Sequence, residues 1–318
     1  MIIMFTMAGA SSRFVDAGYL PKYMLELRPG LTMFEASLRS FWDFFLPEHL
    51  FVFVTRGAEM SAFVRGKLEK IKNELDVENS IYRGLSPFRK REINYKICML
   101  SDMTRGQAET AYVALKFLWE DLDEYMSSKV RPSISIFDMP GSMPASNLCI
   151  FNIDTIRKHF LGDYKGMMHR INSTVGTDGA NTPSQPGFVR AAGVFDAFFD
   201  SRADEKKWSF CAVTYPIVDG KVTKHPLEIT KTAEKKKISN WCSTGLYMFG
   251  APEIYRTAYE RASREPDYNY YIAPLYNYLK GKVYLLECPR DHVEFAGVPD
   301  DYEKLKIKYT EEYTEDHD

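Results

Sequence analysis

The chain has 318 residues, 45% hydrophobic and 26% charged, with 41 Lys plus Arg against 43 Asp plus Glu. That length carries one large α/β domain or two small ones, and a net charge near zero leaves no basic field to attract nucleic acid. No stretch approaches the roughly 20 apolar residues that a bilayer-spanning helix needs, so neither nucleic acid nor membrane is an expected partner.

The chain opens on Ile2–Phe5, a short apolar run bounded by small residues, which reads as a buried strand. No basic segment precedes it and Arg13 follows soon after, which argues against a secretory leader. Ala8, Gly9, Ala10, Ser11 and Ser12 carry little side chain, so their backbone N–H groups can approach a phosphate closely. Arg13 can fork onto phosphate oxygens, and Lys22 can add a point charge. Taken alone, the same residues make a glycine turn with two surface cations.

A helix is expected over Leu31–Phe45, a strand over Leu50–Thr55, a helix over Glu59–Leu75, a strand over Ile93–Met99 and a helix over Gly106–Leu118. Residues 125–147 form a Pro/Ser/Met-rich excursion with one extra strand-like run, ending at Asp138. The strand Leu148–Asn152 comes next and leads to Asp154. Residues 161–187 are rich in Gly, Pro, Ser, Thr and Asn and read as a long mobile loop, either a lid or a plain surface insertion. A strand over Trp208–Thr214, helices over Pro252–Ser263 and Tyr270–Lys280, and a strand over Val283–Cys288 complete the pattern, before a frayed acidic tail, Glu311–Asp318.

Strand, helix, strand in succession gives an α/β fold: a mostly parallel mixed sheet flanked by helices. Ligands gather at the carboxyl ends of such strands, which puts the loop after Phe5 and the end of Leu148–Asn152 on one rim. Five cysteines lie far apart with no CxxC pair, and six histidines are scattered. That usage fits reduced thiols in the cytoplasm and no histidine-ligated metal.

Several segments in order resemble the sugar-phosphate nucleotidyltransferases, or NDP-sugar pyrophosphorylases, and within them bacterial members tied to capsule and surface polysaccharide. MAGASSRF…AGYLPKYM, beginning at Met7, is similar to the family's Gly-rich loop, Arg and Pro-Lys signature. Thr104-Arg-Gly-Gln-Ala-Glu-Thr110 resembles a nucleotide-holding segment, and Phe151-Asn-Ile-Asp-Thr155 the strand end that presents the metal-binding Asp. Ala233-Glu-Lys235 and Ser243-Thr-Gly-Leu-Tyr247 resemble sugar-phosphate and sugar contacts. Tyr270-Tyr-Ile-Ala-Pro-Leu-Tyr-Asn277 and Phe295-Ala-Gly-Val-Pro-Asp300 resemble two late landmarks. The family usually has an acid just before the Tyr-Tyr-Ile-Ala-Pro run. Here Asn269 stands there, which leaves Asp267 and Asn277 as candidates for a second metal contact.

The resemblance implies a single Rossmann-like, GT-A-type nucleotidyltransferase domain over 1–318, with a nucleotide-binding part over about 1–155 and an acceptor-binding part over about 156–310. It implies that an NTP, with CTP or UTP favoured, is coupled to a phosphorylated sugar or alcohol with release of pyrophosphate and with Mg²⁺ as cofactor. A homo-oligomer is compatible with it. Ala8 to Ser12 would cradle the phosphates, Arg13 would hold the departing pyrophosphate and Lys22 would offset charge on the α-phosphate.

Asp154 would hold the metal, or else merely cap a following helix, since Asp-Thr is good N-cap chemistry; Asp138 is a rival ligand. Thr104 and Gly106 would let the backbone approach the base, Gln107 would read its edge, and Asn152 would contact the nucleotide. Glu109 faces solvent or substrate. Glu234, Lys235, Thr244 and Gly245 would hold the acceptor, although Lys231 to Lys237 also reads as a solvated charged run. A glycosyltransferase and a non-catalytic nucleotide-sugar binder are the alternatives. Asn152-Ile-Asp154 keeps only the second acid of an Asp-x-Asp motif.

Overall fold

The computed structural model describes residues 1–83, 90–128, 147–175, 191–215, 217–218, 221–222 and 227–315. Asp138 with its strand-like run, and the stretch 176–187, lie outside them. The first half of the chain forms β1 (Ile2–Thr6), α1 (Ser12–Val15), α2 (Met33–Arg39), β2 (Leu50–Arg56), α3 (Gly57–Tyr82), β3 (Asn94–Leu100), α4 (Gln107–Ser128) and β4 (Leu148–Phe151). The second half forms α5 (Phe160–Val175), β5 (Gly193–Phe199), β6 (Ser209–Thr214), β7 (Glu228–Glu234), β8 (Trp241–Phe249), α6 (Pro252–Ala262), β9 (Val283–Glu287) and α7 (Pro299–Glu315). Two compact units share the chain: Met1–Ser133 with Ile150–Lys158 and Glu294–Asp318, and Ile134–Cys149 with His159–Val293.

In the first unit the strands lie in the order β3-β2-β1-β4, with β1, β2 and β3 parallel. β1 and β2 are buried along most of their length because helices cover a parallel sheet on both faces. Phe5 packs on Phe53 at 5.4 Å and edge-on to Phe41 and Phe151 at 5.6 and 5.8 Å. Met60, Val64, Leu68, Ile71 and Leu75 recur at helical spacing and give α3 its buried stripe.

In the second unit the order is β8-β5-β9-β7-β6, and β6 also pairs with β8, so five strands close into a small barrel. Only β5 and β9 pair in parallel; β7 with β9, β7 with β6, and β8 with β5 are antiparallel. The fold is mixed α/β as expected, but parallel order belongs to the first unit, and closure leaves the barrel no free edge.

Local chemistry accounts for four departures from expectation. The Leu31–Phe45 stretch is α-helical only over α2, with a 3₁₀ turn at Trp42–Phe44; Leu31–Thr32 pairs with Glu26–Arg28, and Thr32 forms a capping box with Glu35. Residues 161–175 belong to α5, where Phe160, Tyr164 and Met167 are buried at helical spacing. Tyr270–Lys280 holds only a 3₁₀ turn, Ala273–Tyr278: Tyr270 is left-handed at φ 57° and Pro274 lacks an N–H. The acidic tail is helical to Glu315.

Glu35 joins α2 to α3. Its side chain is fully buried, and its carboxylate accepts from Lys67 Nζ at 2.9 Å, Lys70 Nζ at 2.8 Å, and the Thr32 N–H and hydroxyl at 3.0 and 2.9 Å. Burial alone would raise its pKa, but Lys70, the Thr32 N–H, Lys67 and the Thr32 hydroxyl outweigh it and hold the group at about 2 against an ordinary 4.5. The unfolded chain takes up this proton first as pH falls. The stability Glu35 contributes is therefore complete above its ordinary value and is lost on the way down to about 2; its ceiling is on the order of 3 kcal/mol. Glu35→Gln is expected to be destabilised at pH 7 and to show a flatter acid limb between pH 5 and 2 in urea unfolding.

Candidate active site

β1 delivers the small-residue loop to the rim of the first sheet. Met7 N–H still bonds Val54 O at 2.9 Å, and the ladder ends there. Among the described residues no protein acceptor takes the N–H of Gly9, Ala10 or Ser11. Gly9 and Ala10 are exposed, and a Cβ placed on Gly9 would meet nothing within 4 Å. Ser11 is left-handed (φ 52°, ψ 27°), a conformation sparsely populated by non-glycine residues and concentrated at functional sites. Phe14 fixes this bend from below: it is 1% exposed and packs edge-on to Tyr19 at 6.1 Å and Tyr302 at 6.3 Å. The Tyr302 hydroxyl donates to Glu26 O at 2.8 Å, so α7 clamps the loop. Ser12 and Arg13 are exposed at the start of α1, and Arg13 makes no ion pair among the described residues.

Lys22 Nζ donates to Asp154 Oδ2 at 2.7 Å, which brings together two of the residues expected to carry the chemistry. Asp154 follows β4 and leads into a second extended segment, Thr155–Arg157, so it caps no helix. Ala296 N–H bonds Asp154 O at 2.8 Å, and a Cβ on Gly297 would lie 3.7 Å from Asp154 Oδ2.

Gln107, at the start of α4, donates from Nε2 to Thr6 Oγ1 at 2.9 Å and to Asn152 Oδ1. This amide stitches the end of β1 to the end of β4 and confirms that both share one rim. Ser37 Oγ donates to Asn152 O at 3.3 Å. Thr104 Oγ1 and Thr110 Oγ1 lie 2.5 Å apart, and Thr110 N–H bonds Gly106 O at 3.0 Å, so the segment is a tight helix entry. The Glu109 carboxylate turns back to Arg105, accepting from its N–H at 2.6 Å and Nε at 2.8 Å.

The second unit holds its own cluster. Glu234 ends β7 and accepts from the Ser209 hydroxyl, which lies 3.4 Å from Tyr247 OH. Burial raises the Glu234 pKa above its ordinary 4.5, against the opposing pull of Ser209 and Lys235. Lys235 is left-handed (φ 51°), and its Nζ donates to Tyr271 OH at 2.8 Å and sits 4.9 Å from that ring's centroid. Thr244 is 1% exposed with its hydroxyl on Asp196 Oδ2 at 2.5 Å, while Gly245 (φ 88°) forms the bulge that breaks the β8–β5 register. Ser209 carried no signal in the sequence, and Tyr247 and Tyr271 stood only as members of two family-like runs; the folded chain alone brings them beside Glu234 and Lys235. Asn277 bonds both backbone groups of Thr232 at 2.9 Å, which gives it a structural role.

Among the described residues no three His, Cys, Asp or Glu side chains gather as a metal cage. Asp154 is a single hard carboxylate, 19% exposed, and Lys22 is its only side-chain partner among the described residues. One such oxygen donor fits Mg²⁺ shared with substrate phosphates and water.

No protein-family model and no curated protein matches the chain. Among solved structures, the nucleoside-diphosphate-sugar pyrophosphorylase from Vibrio cholerae RC9 is 30% identical, with 96% of this chain and all of that chain covered and a TM-score of 0.65. A UTP-bound UGPase from Acinetobacter baumannii is 15% identical over 97% of this chain and 92% of its own, with a TM-score of 0.55. The inositol-1-phosphate CTP transferase from T. maritima is 13% identical over 97% and 95%, with a TM-score of 0.52. The last two share the fold.

Gln107→Leu leaves Thr6 and Asn152 without their donor. It should lower unfolding stability by about 1–3 kcal/mol in urea titrations; an unchanged midpoint would show that the stitch contributes nothing.

Proposed function

The chain belongs to the nucleoside-diphosphate-sugar pyrophosphorylases, and we propose that its first unit holds the nucleoside triphosphate and its second the phosphorylated acceptor. The protein is a nucleotidyltransferase that couples an NTP to a sugar phosphate. This family membership decides against the glycosyltransferase and the non-catalytic binder. The observation that carries the site reading is the Lys22–Asp154 pair beside a bend whose Gly9, Ala10 and Ser11 amides have no protein acceptor among the described residues.

An oxygen of the acceptor phosphate attacks the α-phosphorus, the bond to the β-phosphate oxygen breaks, and pyrophosphate leaves in line. Such transfers depend mainly on positioning and charge neutralisation. We assign the amides of Ala8 to Ser12 to the phosphates, Arg13 to the leaving pyrophosphate and Lys22 to the α-phosphate. Gln107 and Asn152 form the floor against which the base sits, with Thr104 and Gly106 beside them. Asp154 is the protein ligand for Mg²⁺, which when bound would withdraw charge from the phosphate oxygens. In the second unit we assign Lys235 to the acceptor phosphate and Glu234 to its hydroxyls, with Gly245 opening the strand beside them and Thr244 fixing that bulge.

The parallel β3-β2-β1 order supports a Rossmann-like nucleotide-binding sheet. The relatives named for UTP and CTP support a pyrimidine donor. The product is an activated building block, suited to capsule or surface-polysaccharide assembly. Free cysteines and the lack, among the described residues, of a helix long and apolar enough to cross a membrane accord with a cytoplasmic setting.

Arg13→Ala and Lys22→Ala should each lower pyrophosphate release on the order of 100-fold or more, with Arg13→Ala leaving the unfolding midpoint in place because that side chain is exposed. Normal turnover in both would contradict the assignment. Excess EDTA should abolish pyrophosphate release and added Mg²⁺ restore it; full activity in EDTA would remove Asp154 from its role.

A further inference from the structure

We propose that Lys22 is an internal counter-ion that changes partner: in the nucleotide-free protein its ammonium neutralises Asp154, and an arriving triphosphate draws it onto the phosphates and releases the carboxylate for a divalent cation. The proposal rests on the reading of the first unit as the triphosphate site.

Four observations support it. The two side chains meet at 2.7 Å while only partly buried, 29% exposed for Lys22 and 19% for Asp154, so the contact is strong enough to form and open enough to be exchanged. Neither group has another side-chain partner among the described residues, so the exchange breaks one contact and disturbs no network. The backbone on both sides is fixed independently of the pair. Met24 N–H bonds Pro21 O at 2.8 Å and Tyr23 is buried, while Ala296 N–H holds Asp154 O at 2.8 Å. Only the flexible four-carbon stem of the lysine has to swing. Finally, a side chain at position 297 would begin in van der Waals contact with Asp154 Oδ2, 3.7 Å from its Cβ, and glycine leaves that flank uncovered.

The direction of the exchange follows from charge. Asp154 offers the ammonium one negative charge and a triphosphate offers several, at comparable distance and dielectric. Without the lysine, Asp154 would stand as an unpaired carboxylate facing the incoming anion. With it, the carboxylate becomes available only when triphosphate is present, so cation and nucleotide binding are coupled through one side chain.

The test is equilibrium binding of UTP and of CTP by calorimetry, in EDTA and in Mg²⁺, for wild type, Asp154→Asn, Lys22→Met and the double variant, each checked for folding by circular dichroism. In EDTA, Asp154→Asn should bind roughly tenfold tighter than wild type, because its lysine is already free, and the gain should shrink to under about twofold in the Lys22→Met background. Mg²⁺ should tighten binding to wild type and leave Asp154→Asn unaffected. An equal gain with and without Lys22 would mean simple repulsion by the carboxylate and would overturn the exchange, as would no gain at all. Absence of binding to wild type in Mg²⁺ for either nucleotide would instead overturn the triphosphate site itself, and the exchange with it.

Discussion

A single contact between an ammonium and a carboxylate, 132 residues apart in the chain, sets the character of the first unit. Its energy is modest, as for any partly exposed ion pair. Its consequence is positional: it holds Lys22, on the stretch after β1, against the segment that follows β4 and concentrates one positive and one negative charge at one point. The supports of the pair are apolar packing, backbone bonds and a few neutral side-chain bonds, none of them to the two charged groups. Phe14, Tyr19 and Tyr302 lock the loop from beneath, and Ala296 N–H holds the carbonyl of Asp154. The charged groups can then move without unfolding their supports.

Both units place a strained backbone residue beside the groups they offer. Ser11 and Lys235 are left-handed without being glycine, and each sits in or next to a candidate contact. The strain persists because the surroundings over-determine it. The Ser11 carbonyl accepts from Phe14 and Val15, starting α1, while Lys235 N–H bonds Trp208 O at the barrel end. A bend that leaves amides facing outward is costly in a loop free to relax. Here the buried strand on one side and the Phe14 anchor on the other remove that freedom.

The first candidate site was legible in the chain because the phosphate chemistry proposed for it needs local features. A buried strand, a run of small residues and nearby cations occupy 22 consecutive positions, and apolar runs such as Leu50–Thr55 can hardly be anything but central strands. The second unit was harder to read. β5 carries a buried Asp196, β7 has charges at every third position (Glu228, Lys231 and Glu234), and β8 is broken by the Gly245 bulge, so none showed clean alternation. The helix α5 was masked by its Gly, Asn and Ser content, although its apolar residues kept helical spacing.

The sequence by itself determined the strand–loop–cation motif, the buried strands of the first sheet and, through its ordered motifs, the family resemblance. Those depend on contacts within a few residues of one another. Tertiary structure alone decided that Lys22 meets Asp154, that Gln107 ties Thr6 to Asn152, and that Ser209 and Tyr271 stand beside Glu234 and Lys235. Each of these joins residues brought together by strand order or barrel register. That pairing is a property of the whole packed chain: a shift of one residue in register would turn the strand residues among them, Thr6, Ser209 and Glu234, to the opposite face.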